Sequence, residues 1–162
     1  MKENNLFSAN AVFVSDASDP TTIFKEVSDK LLALNLVKDG FFNGISQREQ
    51  QYPTGIDTSP IAKELPNIAV PHTEGEFVNT CLIVPVALKA PVPFKNMIVP
   101  NQSLPVKFLF MILNNNPEGQ ANILAQIMDF LRLTPVSKLQ TLFNLTKTDK
   151  IYQFLSENFS QQ

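Results

Sequence analysis

The chain has 162 residues, 44% of them hydrophobic and 17% charged, and its 13 basic and 15 acidic residues leave a formal charge of −2. That is enough for one well-buried core, with neither a membrane-spanning apolar run of about 18 residues nor the clustered basic face of a nucleic-acid binder. One histidine and one cysteine, nine positions apart, do not make a zinc set, and no loop is dense enough in acids for a hard cation.

Taken in chain order, residues 11–14 form a short apolar strand, too short for a signal peptide. Asp19-Pro20 pairs a capping residue with proline at the first helical position and opens a helix with Ile23, Phe24, Val27, Leu31 and Leu34 on one stripe. A weaker helix is predicted from about Asp39 to Gln50, although Gly44 in its interior costs about 1 kcal/mol against alanine. Residues 68–70, 80–88 and 106–113 read as strands, the last two as nearly continuous apolar runs of the kind covered on both faces. Pro85 implies an edge position or a bulge, and residues 90–105, punctuated by prolines, read as a loop or hairpin near the site.

Three further helices follow. Asn116-Pro117 opens one with Ile123, Leu124, Ile127, Met128 and Leu131 on a face, and Thr134-Pro135 leads into Val136, Leu139, Leu142 and Phe143. Thr146 with Asp149 reads as a capping box before Ile151, Phe154, Leu155 and Phe159. The predicted fold is α/β: one domain over residues 1–162, a sandwich with a central mixed sheet and helices on both sides. The lone Cys81, inside an apolar strand, is expected to be an inert core residue. The lack of an internal disulfide fits a reducing compartment, with the cytoplasm as the default.

The candidate chemistry centres on His72, the only histidine, in Ile68-Ala69-Val70-Pro71-His72-Thr73-Glu74. Imidazole is a nitrogen nucleophile near neutral pH because its ordinary pKa is about 6.5. Eighteen positions earlier, Thr54 lies in Arg48-Glu49-Gln50-Gln51-Tyr52-Pro53-Thr54-Gly55-Ile56. A phosphoryl group on a histidine nitrogen carries roughly two negative charges, and such a site calls for a guanidinium, hydroxyls and backbone N–H groups. Arg48 and Thr54 supply the first two, Gly55 permits close backbone approach, and Pro71 fixes the chain before the ring. The second ring nitrogen then needs an acceptor such as a backbone carbonyl.

Arg-Glu, Pro-Thr-Gly-Ile and then Ile-Ala-Val-Pro-His together resemble the type-2 enzyme IIA domain of the bacterial phosphoenolpyruvate-dependent sugar phosphotransferase system (PTS), the fructose/mannitol group. Pro53–Ile56, Glu74 and Asn116-Pro117-Glu118-Gly119-Gln120 are most similar to its galactitol-type branch. The resemblance implies the same α/β fold over nearly the full chain, and no metal or cofactor. It implies that His72 accepts a phosphoryl group from phospho-HPr on Nε2 and passes it to a cysteine of a cognate IIB, which phosphorylates a sugar or polyol as membrane IIC imports it. Arg48 would stabilise the phosphate. Many family members carry a second histidine where this chain has Gln120, an amide that can donate to phosphate but carries no charge. A regulatory module, in which phosphorylation of His72 controls partner binding, is the alternative function, and the lack of a recognisable DNA-binding segment favours transport. Glu74 is expected to be solvated, Glu64 takes no role, and Phe94, Met97 and Ile98 are expected to contribute to an exposed apolar patch for partners.

Overall fold

The computed structural model describes residues 6–159, apart from the side chains of Pro117 and Gln120. Its framework is a long hairpin of β4 (Cys81–Lys95) and β5 (Ser103–Asn114), preceded in the chain by β1 (Phe13–Ser15), β2 (Gly55–Ile56) and β3 (Asn67–Ala69). The helices are α1 (Pro20–Ala33), α2 (Phe41–Gln51), α3 (Gln120–Leu133), α4 (Val136–Phe143) and α5 (Thr148–Asn158). The sheet runs β1-β4-β5-β3-β2. β1 is parallel to β4 and β3 parallel to β5, while β4–β5 and β2–β3 are antiparallel.

The unbroken apolar character of the hairpin follows from burial on both faces. Along β5, Leu109, Met111 and Leu113 join the core formed with α1 and α2, through Ile23, Phe24, Val27, Leu31, Phe41 and Ile45. The alternate residues Phe108, Phe110 and Ile112 join the opposite core with α3, α4 and α5. There Phe108 and Phe110 lie 5.0 Å apart between ring centroids, and Phe143 lies 5.2 Å from Phe108. The structure is therefore the expected α/β sandwich, with a mixed sheet between two helical layers.

Several element limits differ from those read in the sequence, each for a local reason. Of the loop or hairpin expected over residues 90–105, it is the hairpin that forms, since pairing continues through Lys95↔Ser103 after a register shift between Ala87 and Val92. Prolines 91, 93 and 105 mark the distal part of this hairpin. The irregularity thus lies beyond Pro85, which pairs with Phe110 in the ladder just outside the three residues covered by β1. Asp19 caps α1 as predicted, accepting from the Thr22 N–H at 3.0 Å. The capping box at Thr146 does not form: α5 starts at Thr148, after Lys147, with no side-chain cap bond. Cys81 is exposed at the start of β4 rather than buried, because the cover on both faces that buries Leu82 and Ile83 ends there. Of the expected partner patch, Phe94 is core at 2% exposure whereas Ile98 is 86% exposed.

Candidate active site

The ladder that builds β3 carries straight on to the histidine. Ala69 pairs with Leu109, and three residues later His72 forms a parallel bridge with Ile112, three residues further along β5. The Ile112 N–H donates to the Pro71 carbonyl at 3.0 Å. A proline has no N–H to lose there, so the chain can turn while its carbonyl stays in the ladder. The backbone of His72 is thereby fixed to the most buried strand of the sheet.

The ring is fixed as well. His72 Nδ1–H donates to the Val70 carbonyl at 2.9 Å. A carbonyl can only accept, so the neutral ring carries its proton on Nδ1 and leaves the Nε2 lone pair available. Nε2 makes no hydrogen bond among the described residues. Burial lowers the ring's pKa below its ordinary 6.5; the Val70 bond pulls upward, Arg48 pushes down and Glu74 pulls up. The net result is a ring that is neutral, and so nucleophilic, at pH 7.

A chain of hydrogen bonds ties this ring to α2. Glu49, one residue after Arg48, accepts from the Thr54 N–H at 2.9 Å and from the Thr54 hydroxyl at 2.8 Å. The Thr54 carbonyl accepts from the Val70 N–H at 3.2 Å, and the Val70 carbonyl holds His72. Thr54 is 3% exposed with its hydroxyl proton committed to Glu49. The structure thus places it as a buried link behind the ring, in contrast to the phosphate-facing hydroxyl expected from the sequence. Gly55 has a different neighbour from the one anticipated too. A Cβ at this position would lie 2.5 Å from the Lys95 carbonyl oxygen, so its close backbone approach is to β4. Burial pushes the Glu49 carboxyl up from 4.5 to about 7, against the two Thr54 donors that pull it down.

Arg48, in the last turn of α2, is the cation whose field reaches His72. Its Nη1 donates to Glu74 Oε2 at 2.8 Å, and its guanidinium lies 5.2 Å from the centroid of the Tyr52 ring. Arg48 Nε is buried without a hydrogen-bond partner among the described residues. Glu74, expected to be solvated, is 54% exposed yet engaged, its Oε1 accepting from the Thr73 hydroxyl at 3.1 Å. Gly44 explains itself here. A Cβ would lie 2.8 Å from Thr73 Oγ1 and 3.0 Å from the Phe77 ring, so glycine lets α2 seat against the loop that follows the histidine.

The structure accordingly brings His72, Arg48 and Glu74 together, with Thr54 and Glu49 behind them. Gln120 begins α3, and its side chain lies outside those described. The sequence reading noted Glu74 without expecting it to be engaged, and passed over Glu49. Glu49 could have been found from its separation of five residues from a threonine beyond a helix end. Among the described residues, no group of His, Cys, Asp and Glu could hold a metal ion, and no helix is long and apolar enough to cross a membrane.

The fold is shared with solved IIA structures. Mannitol IIA from Escherichia coli superposes with a TM-score of 0.68 at 18% identity, covering 92% of this chain and 98% of that one. The same comparison with the complex of E. coli mannitol enzyme IIA and phosphorylated enzyme IIB gives 0.69 at 18% identity, over 93% and 97% of the two chains. The nitrogen regulatory protein IIA-Ntr from Neisseria meningitidis gives 0.62 at 16% identity, over 93% and 96%. No curated protein matches the sequence. The family model for the phosphoenolpyruvate-dependent sugar phosphotransferase system, EIIA 2, matches residues 5–158, a span that holds every residue of the site, and the chain belongs to that family.

Proposed function

We propose that this chain is a cytoplasmic enzyme IIA phosphocarrier that takes a phosphoryl group from phospho-HPr on His72 Nε2 and delivers it to a cysteine of a cognate IIB. Through IIB it serves uptake of a sugar or polyol by a membrane IIC, with a galactitol-like substrate suggested by the branch to which its motifs are most similar. The observation that carries this reading is the Nδ1–Val70 bond, which leaves Nε2 as the free nucleophile of a neutral ring.

In the loading step the Nε2 lone pair attacks phosphorus, and the N–P bond to the donor ring breaks with its electron pair returning to the donor nitrogen. Nδ1 keeps its proton throughout, and the positive charge that the ring acquires is met by the Val70 carbonyl. In the unloading step a thiolate attacks the same phosphorus, and the electron pair of the N–P bond returns to Nε2. Both steps exchange one activated bond for another, so positioning and charge stabilisation are what the protein supplies. Arg48 faces the charge of the transferring group, and Gln120 is the proposed neutral donor in place of a second imidazole.

Incubation with enzyme I, HPr and labelled phosphoenolpyruvate should label the wild type and leave His72→Ala unlabelled. Equal label on both proteins would refute the phosphoacceptor role. Onward transfer to IIB supports the transport role, whereas label that stays on the chain and alters its binding to another protein supports the regulatory alternative.

A further inference from the structure

We propose that Glu74 is a built-in competitor for Arg48 that keeps a phosphoryl group on His72 easy to pass on. The inference rests on the reading of His72 as phosphoacceptor.

Among the described residues Arg48 is the only Arg or Lys whose charge acts on His72, and the one hydrogen bond of its guanidinium goes to Glu74, at 2.8 Å. The carboxylate is tethered at both oxygens, to Arg48 and to the Thr73 hydroxyl. Nor can its backbone drift away. Two residues before it, His72 is bridged to Ile112, and one residue after it, Gly75 is packed so closely that a Cβ would lie 3.0 Å from the Asn114 carbonyl oxygen. Tyr52 under the guanidinium limits how far Arg48 can swing.

A phosphoryl group arriving on Nε2 brings roughly two negative charges to this cation. It must share Arg48 with Glu74 or displace the carboxylate, which remains nearby in either case. The pair is 32% and 54% exposed, so it adds little to folding, and its larger consequence falls on the anion that competes with it. Glu74 neither gives nor takes a proton in the transfer. It acts through Arg48 and is a positioning residue, setting how strongly the site holds phosphate. A site that bound phosphohistidine as tightly as Arg48 alone allows would load readily and unload poorly.

The test is Glu74→Gln, whose amide oxygen can still accept from Arg48 while the charge is gone. With HPr, enzyme I and labelled phosphoenolpyruvate, the equilibrium between phospho-HPr and this chain should shift toward phospho-His72 by about fivefold to tenfold at low salt, shrinking as ionic strength rises. Onward transfer to a thiol acceptor should slow in parallel, and Glu74→Asp should restore wild-type behaviour in part. The His72 ring, followed by NMR, should titrate lower in Glu74→Gln, since Glu74 raises its pKa. An equilibrium within twofold of wild type, or one shifted toward phospho-HPr, overturns the proposal. An unlabelled wild type would instead overturn the phosphoacceptor reading beneath it.

Discussion

Glu49→Gln should abolish a loss of stability that the wild type suffers as pH rises from about 4.5 to about 7. The Glu49 carboxyl is raised from 4.5 in the unfolded chain to about 7 in the fold. Between those values the unfolded chain has released the proton while the native protein keeps it. The native state therefore binds more protons, and stability falls with rising pH until the folded carboxyl ionises. The interval corresponds to about 3 kcal/mol at most. His72 works in the opposite direction, because its lowered pKa makes the unfolded state the better proton binder below 6.5. Comparing wild type with variant cancels that contribution. Glutamine suits the site, since its oxygen can accept from the Thr54 N–H while its amide donates to the Thr54 hydroxyl, much as the protonated acid does. The assay is urea unfolding of both proteins at pH 4.5, 6 and 8. Relative to wild type, the variant should gain about 2–3 kcal/mol between the lowest and highest pH. Parallel curves would refute the argument and mean that Glu49 is ionised in the fold across the range.

Two further outcomes follow from the geometry. Arg48→Met should slow phosphoryl transfer about a hundredfold and raise the His72 pKa, whose value Arg48 depresses. It should change stability by less than about 1 kcal/mol, its ion pair being partly exposed; rapid-quench transfer, NMR titration and thermal melts measure the three quantities. Gly55→Ala should cost about 2 kcal/mol, lowering Tm by about 4–8 °C, because the new Cβ would lie 2.5 Å from the Lys95 carbonyl oxygen, a backbone atom that cannot rotate aside. Calorimetry reports that loss, while labelling at low temperature should persist, since the substitution leaves the His72–Val70 bond in place.

The fold was legible wherever burial writes a period into the sequence. The stripe of α1 and the unbroken runs of β4 and β5 follow from the layers that cover them. The ends of elements were harder, because they depend on neighbours. Residues 90–95 look like loop material by their prolines yet pair with β5, and Thr146 has the residues of a cap without the geometry of one. In the site, the proximity of His72 and Arg48 could be anticipated because a phosphoryl group on the one would call for the charge of the other. The role of Thr54 could not, since a hydroxyl's usefulness depends on which way it points, and here it points to Glu49. The Arg48–Glu74 pair spans 26 residues and two elements, a separation that no local pattern encodes.

The bond from His72 to the Val70 carbonyl, together with the bridge from His72 to β5, holds the ring in a single posture, which on the proposed reading would serve both loading and unloading. Two visitors that need the same posture of the same ring cannot be seated at once. Each must leave before the other arrives, so supply and demand are never in direct contact. The fraction of chains carrying phosphate then reads the balance between them, much as the voltage on a capacitor reads the balance of two currents. A carrier of the kind proposed would store one quantum of group-transfer potential per molecule. Its abundance, more than its intrinsic rate, would then set how large a fluctuation in supply the pathway could absorb.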